Sequence, residues 1–164
     1  MVLALSSGSV VAQDSDFVKY SGGLPLTRPP AIPQMRLRKA RLFRTVLRTA
    51  AAEGPNFNGH YRTVYWGCGT NCIDWAVIDL ADGTVWFAPQ PALSCWAPEE
   101  PRDLDWPDWI EVQPTSRLLY LHECEHGFAR GRRTFDIRHV YEWREGKPVL
   151  LRTEGFTVEK AAAR

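Results

Sequence analysis

Beyond its first dozen residues the chain has no apolar run that approaches membrane-spanning length, so nothing later in it reads as a transmembrane helix. Net charge is nearly absent too: +1 with the histidines neutral is too little to imply a nucleic acid or another polyanionic partner. There is no C-x-x-C pair, because three residues separate Cys68 from Cys72, and the two cysteines fall between strand-like segments. A thioredoxin-like redox site would instead begin a helix with the shorter spacing. No internal repeat occurs, nor any low-complexity segment beyond the Ala-rich end. No residue pattern asks for a cofactor, and none is expected.

What is present is enough for one domain with a real core: 164 residues, of which 45% are hydrophobic and 12% aromatic. The opening MVLALSSGSVVA is small and apolar and ends Val10-Val11-Ala12, with small residues where a signal peptidase cuts, although a positive n-region is lacking. Residues 1–12 therefore read as a shortened signal peptide, and the mature protein is expected in the periplasm or outside the cell. In that compartment four cysteines imply two disulfides. Three pairings are open; the preferred one joins Cys68 to Cys72 across a hairpin and Cys95 to Cys124.

Residues 13–33 carry Gly22-Gly23 and prolines at 25, 29, 30 and 33, which predicts an extended arm rather than a helix. From Gln34 to Glu53 apolar residues recur at helical spacing with arginines on the other face, and Gly54-Pro55 ends the run, so one amphipathic helix is expected. The rest of the globular domain, residues 34–160, reads as strands. Tyr61–Trp66, Ile73–Leu80 and Thr84–Ala88 form a meander, with the second of these covered on both faces. Ser116–Glu123, Phe135–Trp143 and Val149–Arg152 follow, and residues 89–115 are the longest irregular stretch. The fold expected is α+β: one helix packed on a mostly antiparallel sheet of about six strands.

Pro55-Asn56-Phe57-Asn58-Gly59-His60-Tyr61, then Trp66-Gly67-Cys68-Gly69-Thr70-Asn71-Cys72, resembles a group of small exported bacterial proteins that carry N-F-x-G-H-Y and W-G-C-G-x-x-C. The resemblance implies export and a shared fold, and it implies no activity. Asn58 stands where a smaller residue such as alanine is expected.

Three functional readings compete. In the first, the chain is an exported, disulfide-stabilised binding domain, an envelope inhibitor or immunity-type protein. Its partner is an envelope protein or a glycan, met through Trp96, Trp106 and Trp109 in the acidic loop. In the second, His122-Glu123-Cys124-Glu125-His126 matches H-E-x-x-H, and a small metal-dependent hydrolase would use His122, Glu123 and His126 with Glu142 or Glu145 as third ligand. The flanking residues read as strand, however, and a strand sends His122, Cys124 and His126 to one face and Glu123 to the other, so no zinc protease site is expected. In the third, Cys68 or Cys72 is a nucleophile paired with His60 or His139. His60 is expected instead as a buried ring bonded to the Asn56–Asn58 turn. The basic tract Arg36, Arg38, Lys39, Arg41, Arg44 and Arg48 is expected to be solvated at the surface or paired within the molecule, the acidic run from Glu99 to Glu111 being one candidate to face it.

Overall fold

In the computed structural model the described residues are 15–69, 72–93, 109–123 and 137–155. They form a mixed helix and sheet structure with two antiparallel sheets. The elements in chain order are α1 (Ser15–Lys19), α2 (Arg38–Leu42), α3 (Arg44–Ala52), β1 (Tyr61–Gly69), β2 (Cys72–Asp79), β3 (Val85–Phe87), β4 (Ala92–Leu93), β5 (Ile110–Val112), β6 (Leu118–Glu123), β7 (Ile137–Arg144) and β8 (Lys147–Gly155). The first sheet runs β1-β2-β3 with β4 also on β2, and the second runs β5-β6-β7-β8. The expected single sheet of about six strands is thus two packed sheets of four strands each. β4 and β5 are short strands inside the stretch that composition marked as irregular.

Period-two alternation explains why two sheets form. Strand β2 is apolar on both faces: Ile73, Trp75 and Val77 face one way and Ala76 and Ile78 the other. The first set meets Leu119, Leu121, Ile110 and Trp143 of the second sheet in a common seam, with Phe57 at its end. The second set meets Ala40, Leu47, Ala50 and Ala51 of the helices. Strand β7 follows the predicted alternation: Tyr141 and Trp143 look into the seam, while Val140 looks outward to a third cluster with Leu118, Tyr120 and Phe17.

Two departures from the expected helices have local causes. The run over residues 34–53 is broken at Phe43 (φ −99°, ψ 22°), whose ring stacks on Trp66 at 4.5 Å. It starts late because Gln34 donates its N–H to Gly83 O and its side chain to Asp82 O, which holds that residue out of a first turn. The arm, expected to be free of helix, begins with α1, since Gly and Pro enter only from Gly22 onward. Phe17 of α1 is buried against Tyr120, 4.6 Å between ring centres. Beyond it the chain is extended and pinned, with Gly22 N–H on Thr115 O, Leu26 N–H on Gly59 O and Ala31 N–H on Leu80 O.

Among the described residues no helix is long and apolar enough to cross a membrane. The expected signal peptide, residues 1–12, lies outside the described residues.

Candidate functional site

The Asn56–Tyr61 turn is built for packing. Asn56 Oδ1 accepts the Thr63 N–H at 2.9 Å, and Phe57 is wholly buried in the seam. Asn58 and Gly59 both have positive φ, 42° and 80°, the left-handed pair that a tight turn needs. Asn58 Oδ1 accepts the Gly23 N–H at 2.6 Å, a contact with the arm that the smaller residue expected at this position would not make. A Cβ on Gly59 would sit 2.3 Å from Leu24 O, so only glycine fits.

His60 is not bonded to that turn's side chains. Its ring is part-exposed, lies 4.3 Å from the Tyr61 ring, and brings Nε2 to 3.6 Å from Asp79 Oδ1. Burial raises the Tyr61 hydroxyl above the ordinary tyrosine value; Trp143 opposes this and Asp79 reinforces it.

At the far end of β1, Cys68 and Cys72 form a disulfide, as expected, with Cα atoms 5.4 Å apart. Oxidation removes the thiolate that the cysteine-nucleophile reading requires, and His60 sits at the opposite end of the strand, roughly 26 Å away. That reading is therefore corrected. Cys95 and Cys124 lie outside the described residues.

The described part of the H-E-x-x-H stretch, His122 and Glu123, is strand and not helix. His122 and Glu123 are on strand β6 and point to opposite faces. His122 is fully buried on the arm side, donates its backbone N–H to Trp109 O, and has Nε2 at 3.4 Å from Glu111 Oε2. Glu142 pairs across the ladder with Leu118, four residues along β6 from His122, roughly 13 Å away, and its carboxylate is taken by Arg117 and Arg144. It cannot complete a metal site with His122. Glu145 lies farther along, in the β7–β8 turn, with φ 50°. His126 lies outside the described residues.

The described contacts of the basic tract are intramolecular. Lys39 bridges to the buried Asp74 at 2.8 Å, Arg41 donates to Met35 O and Arg36 O, and Arg44 donates to Arg41 O. Of the acidic run, Glu111 meets His122, and residues 94–108 lie outside the described residues.

The arrangement with the most chemical content lies where the seam opens. There β2 and β3 of the first sheet meet β6 and β7 of the second, and a cleft of about 280 Å³ remains. Trp75, Trp86 and Tyr141 supply aromatic walls, Pro89, Pro91 and Pro148 the rim, and Gln90 and Glu123 the polar groups. The walls follow from alternation. Trp86 pairs with Val77 and so shares the seam face of Trp75; Leu121 and Glu123 are two apart on β6, and Tyr141 is on the matching face of β7.

Trp86 is fixed by Trp75 at 5.1 Å and by the edge of Trp143 at 5.7 Å. Glu123 is fixed by a neighbour on the same sheet face: its Oε2 is 2.8 Å from His139 Nε2, and His139 Nδ1 is 2.8 Å from Thr153 Oγ1, so the imidazole is held between a carboxylate and a hydroxyl. Burial raises the Tyr141 hydroxyl, with Glu123 adding to the effect, so it stays a neutral hydrogen-bonding group.

Of the three tryptophans assigned to recognition, Trp109 is half-buried and packs against the seam core, which makes it partly a structural residue. Trp96 and Trp106 lie outside the described residues. Sequence reading missed the cleft because Trp75 and Trp86 sit in strands and read as core. Only the pairing of sheet to sheet turns them into a wall.

Compared with protein-family models, curated proteins and solved structures, the chain matches none.

Proposed function

We propose that this chain is an exported binding domain, cross-linked through Cys68 and Cys72, that takes a glycan of the cell envelope into the seam cleft. The observation that carries this reading is the lining: the rings of Trp86 and Tyr141, with the buried Trp75 packed against Trp86, beside the amide of Gln90 and the carboxylate of Glu123. A sugar ring presents an apolar C–H face and a rim of hydroxyls, and such a wall with a few fixed polar groups suits it. The volume of about 280 Å³ lies at the lower edge of small-molecule sites, which fits one or two rings of a longer chain that continues over the surface. Export is supported by the small apolar opening of the sequence, by the disulfide, and by the resemblance carried in N-F-x-G-H-Y and W-G-C-G-x-x-C.

The test is retention of the mature protein on immobilised envelope polysaccharides and isolated cell wall. Trp86→Ala should weaken binding at least about thirtyfold, as loss of a central aromatic anchor does. Gln90→Ala, at an exposed position outside the core, should weaken it less while the domain stays folded. Retention indifferent to both substitutions would move the site elsewhere. Failure on every polysaccharide, with capture of an envelope protein instead, would replace the glycan with a protein partner and make the chain an inhibitor-type domain.

A further inference from the structure

The cleft also specifies the charge of what enters it. Among the described residues that line it, Glu123 carries the only formal charge, and no lysine, arginine or histidine side chain is among them. Trp86 and Tyr141 also line the cleft, and an aromatic ring attracts a cation that meets its face through the negative side of its quadrupole. His139, on the same face of β7 as Tyr141, bonds Glu123 through Nε2, with its other nitrogen taken by Thr153, so the carboxylate is held in one orientation. Its two oxygens offer four lone-pair directions, and one hydrogen bond to His139 leaves capacity for a donor from the cleft side.

We propose that the cleft recognises a protonated amine on the sugar, that is, a glycan with free amino sugars. This rests on the glycan reading above and deepens it. An alkylammonium supplies three N–H donors and a compact positive charge, and it gains both from a carboxylate and from the faces of tryptophan and tyrosine. An acidic sugar would meet Glu123 with like charge. An N-acetylated sugar fits the walls and brings one weak amide donor where the site offers an ionised acceptor. A negative and aromatic recess therefore discriminates by charge as well as by shape.

Two probes differing only in that group test it: a tetramer of β-1,4-linked glucosamine and its fully N-acetylated counterpart, titrated calorimetrically into the mature protein near neutral pH. The amino form should bind about tenfold tighter or more. Glu123→Gln, which keeps the shape of the side chain, should erase that preference by bringing the affinity for the amino form down to that for the acetylated form. Hydrogen exchange of the β6–β7 amides checks that this variant is folded. Equal binding of the two tetramers, or a preference for the acetylated one, overturns the amine proposal while the glycan reading stands. Binding of neither overturns both. A preference that survives Glu123→Gln also overturns the proposal, because the discrimination then comes from elsewhere.

Discussion

At one end of the β1–β2 ladder Tyr61 pairs with Asp79, and the turn before it is packed against the arm, the Gln113–Ser116 turn and the seam. At the other end Gly69 pairs with Cys72, and Gly67, Cys68 and Gly69 are all exposed. Both ends carry a motif that stands out in the sequence. The first is held by burial, by a glycine that nothing else can replace, and by hydrogen bonds to chain far away in sequence. At the second, a covalent bond does what packing does at the first. The comparison teaches that a distinctive cluster of residues marks a place where the backbone has no alternative, and that the means of holding it there differ with the available burial.

The sharpest way to break the comparison is at Gly59. Alanine there would meet Leu24 O at 2.3 Å and Gly23 O at 2.5 Å while forced into φ 80°. Backbone atoms cannot give way as a side-chain tip can, so the arm must lift. Loss of about 4 kcal/mol or more is expected, read from the urea midpoint. Gly67 is the matching control, since nothing lies within 4 Å of its added Cβ and its backbone is not left-handed. Gly67→Ala should stay within about 0.5 kcal/mol of the parent. Comparable losses at the two glycines would erase the distinction between the ends.

Asn56→Ala comes next. Its Oδ1 accepts the Thr63 N–H at 2.9 Å and its Nδ2 donates to Thr63 Oγ1 at 3.1 Å, both in a partly buried setting. Removing the side chain leaves the Thr63 groups short of partners, and about 1–3 kcal/mol should be lost by the same measurement. An unchanged midpoint would mean that water replaces the side chain and that the turn depends on its glycine alone.

How far the fold was legible follows the same line. Strand alternation in residues 137–144 separated the two faces of β7 correctly, because Ile137, Tyr141 and Trp143 alternate with Arg138 and Glu142. The Asn58-Gly59 and Glu145-Gly146 turns were legible from composition, and both pairs have positive φ. The break at Phe43 was not, since it comes from a tertiary stack on Trp66 that spacing does not encode. Nor was α1, where a short polar segment is helical because Phe17 has a place to bury beside Tyr120. The division into two sheets was hidden for a related reason: alternation marks the faces of a strand and not its neighbours, and β4 and β5 are only two and three residues long, too short for alternation to register. At the candidate site, Glu123 was singled out as part of a metal motif and turns out to matter through a different partner, His139, on a neighbouring strand.

A smaller effect is expected at the disulfide end. Cys68→Ser with Cys72→Ser opens a loop so short that cross-linking it removes little unfolded-chain entropy, about 2 kcal/mol or less on the loop model. The domain should remain folded, with faster hydrogen exchange confined to the Trp66–Gly69 and Cys72–Ile73 amides. A loss as large as that at Gly59 would show that the cross-link supports the seam as well as the hairpin.

The smallest expected effect is a response to acid that touches only the packed end. Arg117 donates to Ser21 O in the arm and to the Glu142 carboxylate, and Arg144 takes the other oxygen of Glu142. The hydrogen bond from Arg144 lowers the Glu142 carboxyl below its ordinary value of 4.5; burial opposes it, and Arg117 adds to the lowering. Glu154 behaves likewise: burial opposes, and hydrogen bonds from Arg152 and Arg138 outweigh it, while Arg152 also reaches Asp16 of α1. A carboxyl whose folded value is depressed contributes stability that is fully present above the unfolded value near 4.5, and this is lost as pH falls through the lower folded value. Below pH 4.5 the unfolded chain binds a proton that the folded chain refuses, so acid favours opening. Arg117, Arg144 and Arg152 are more than a third exposed, and solvent screens their pairs, so the effect stays modest. Hydrogen exchange at the Gly22 and Leu26 amides, corrected for intrinsic rates, should accelerate severalfold through this window, while the amides near Cys68 keep their protection. Glu142→Gln should begin with a looser arm at neutral pH and show a flatter response below it. Equal acid sensitivity at both ends of β1, or an unchanged profile in the variant, would mean that the arm is held by its backbone bonds and by Phe17 without help from charge.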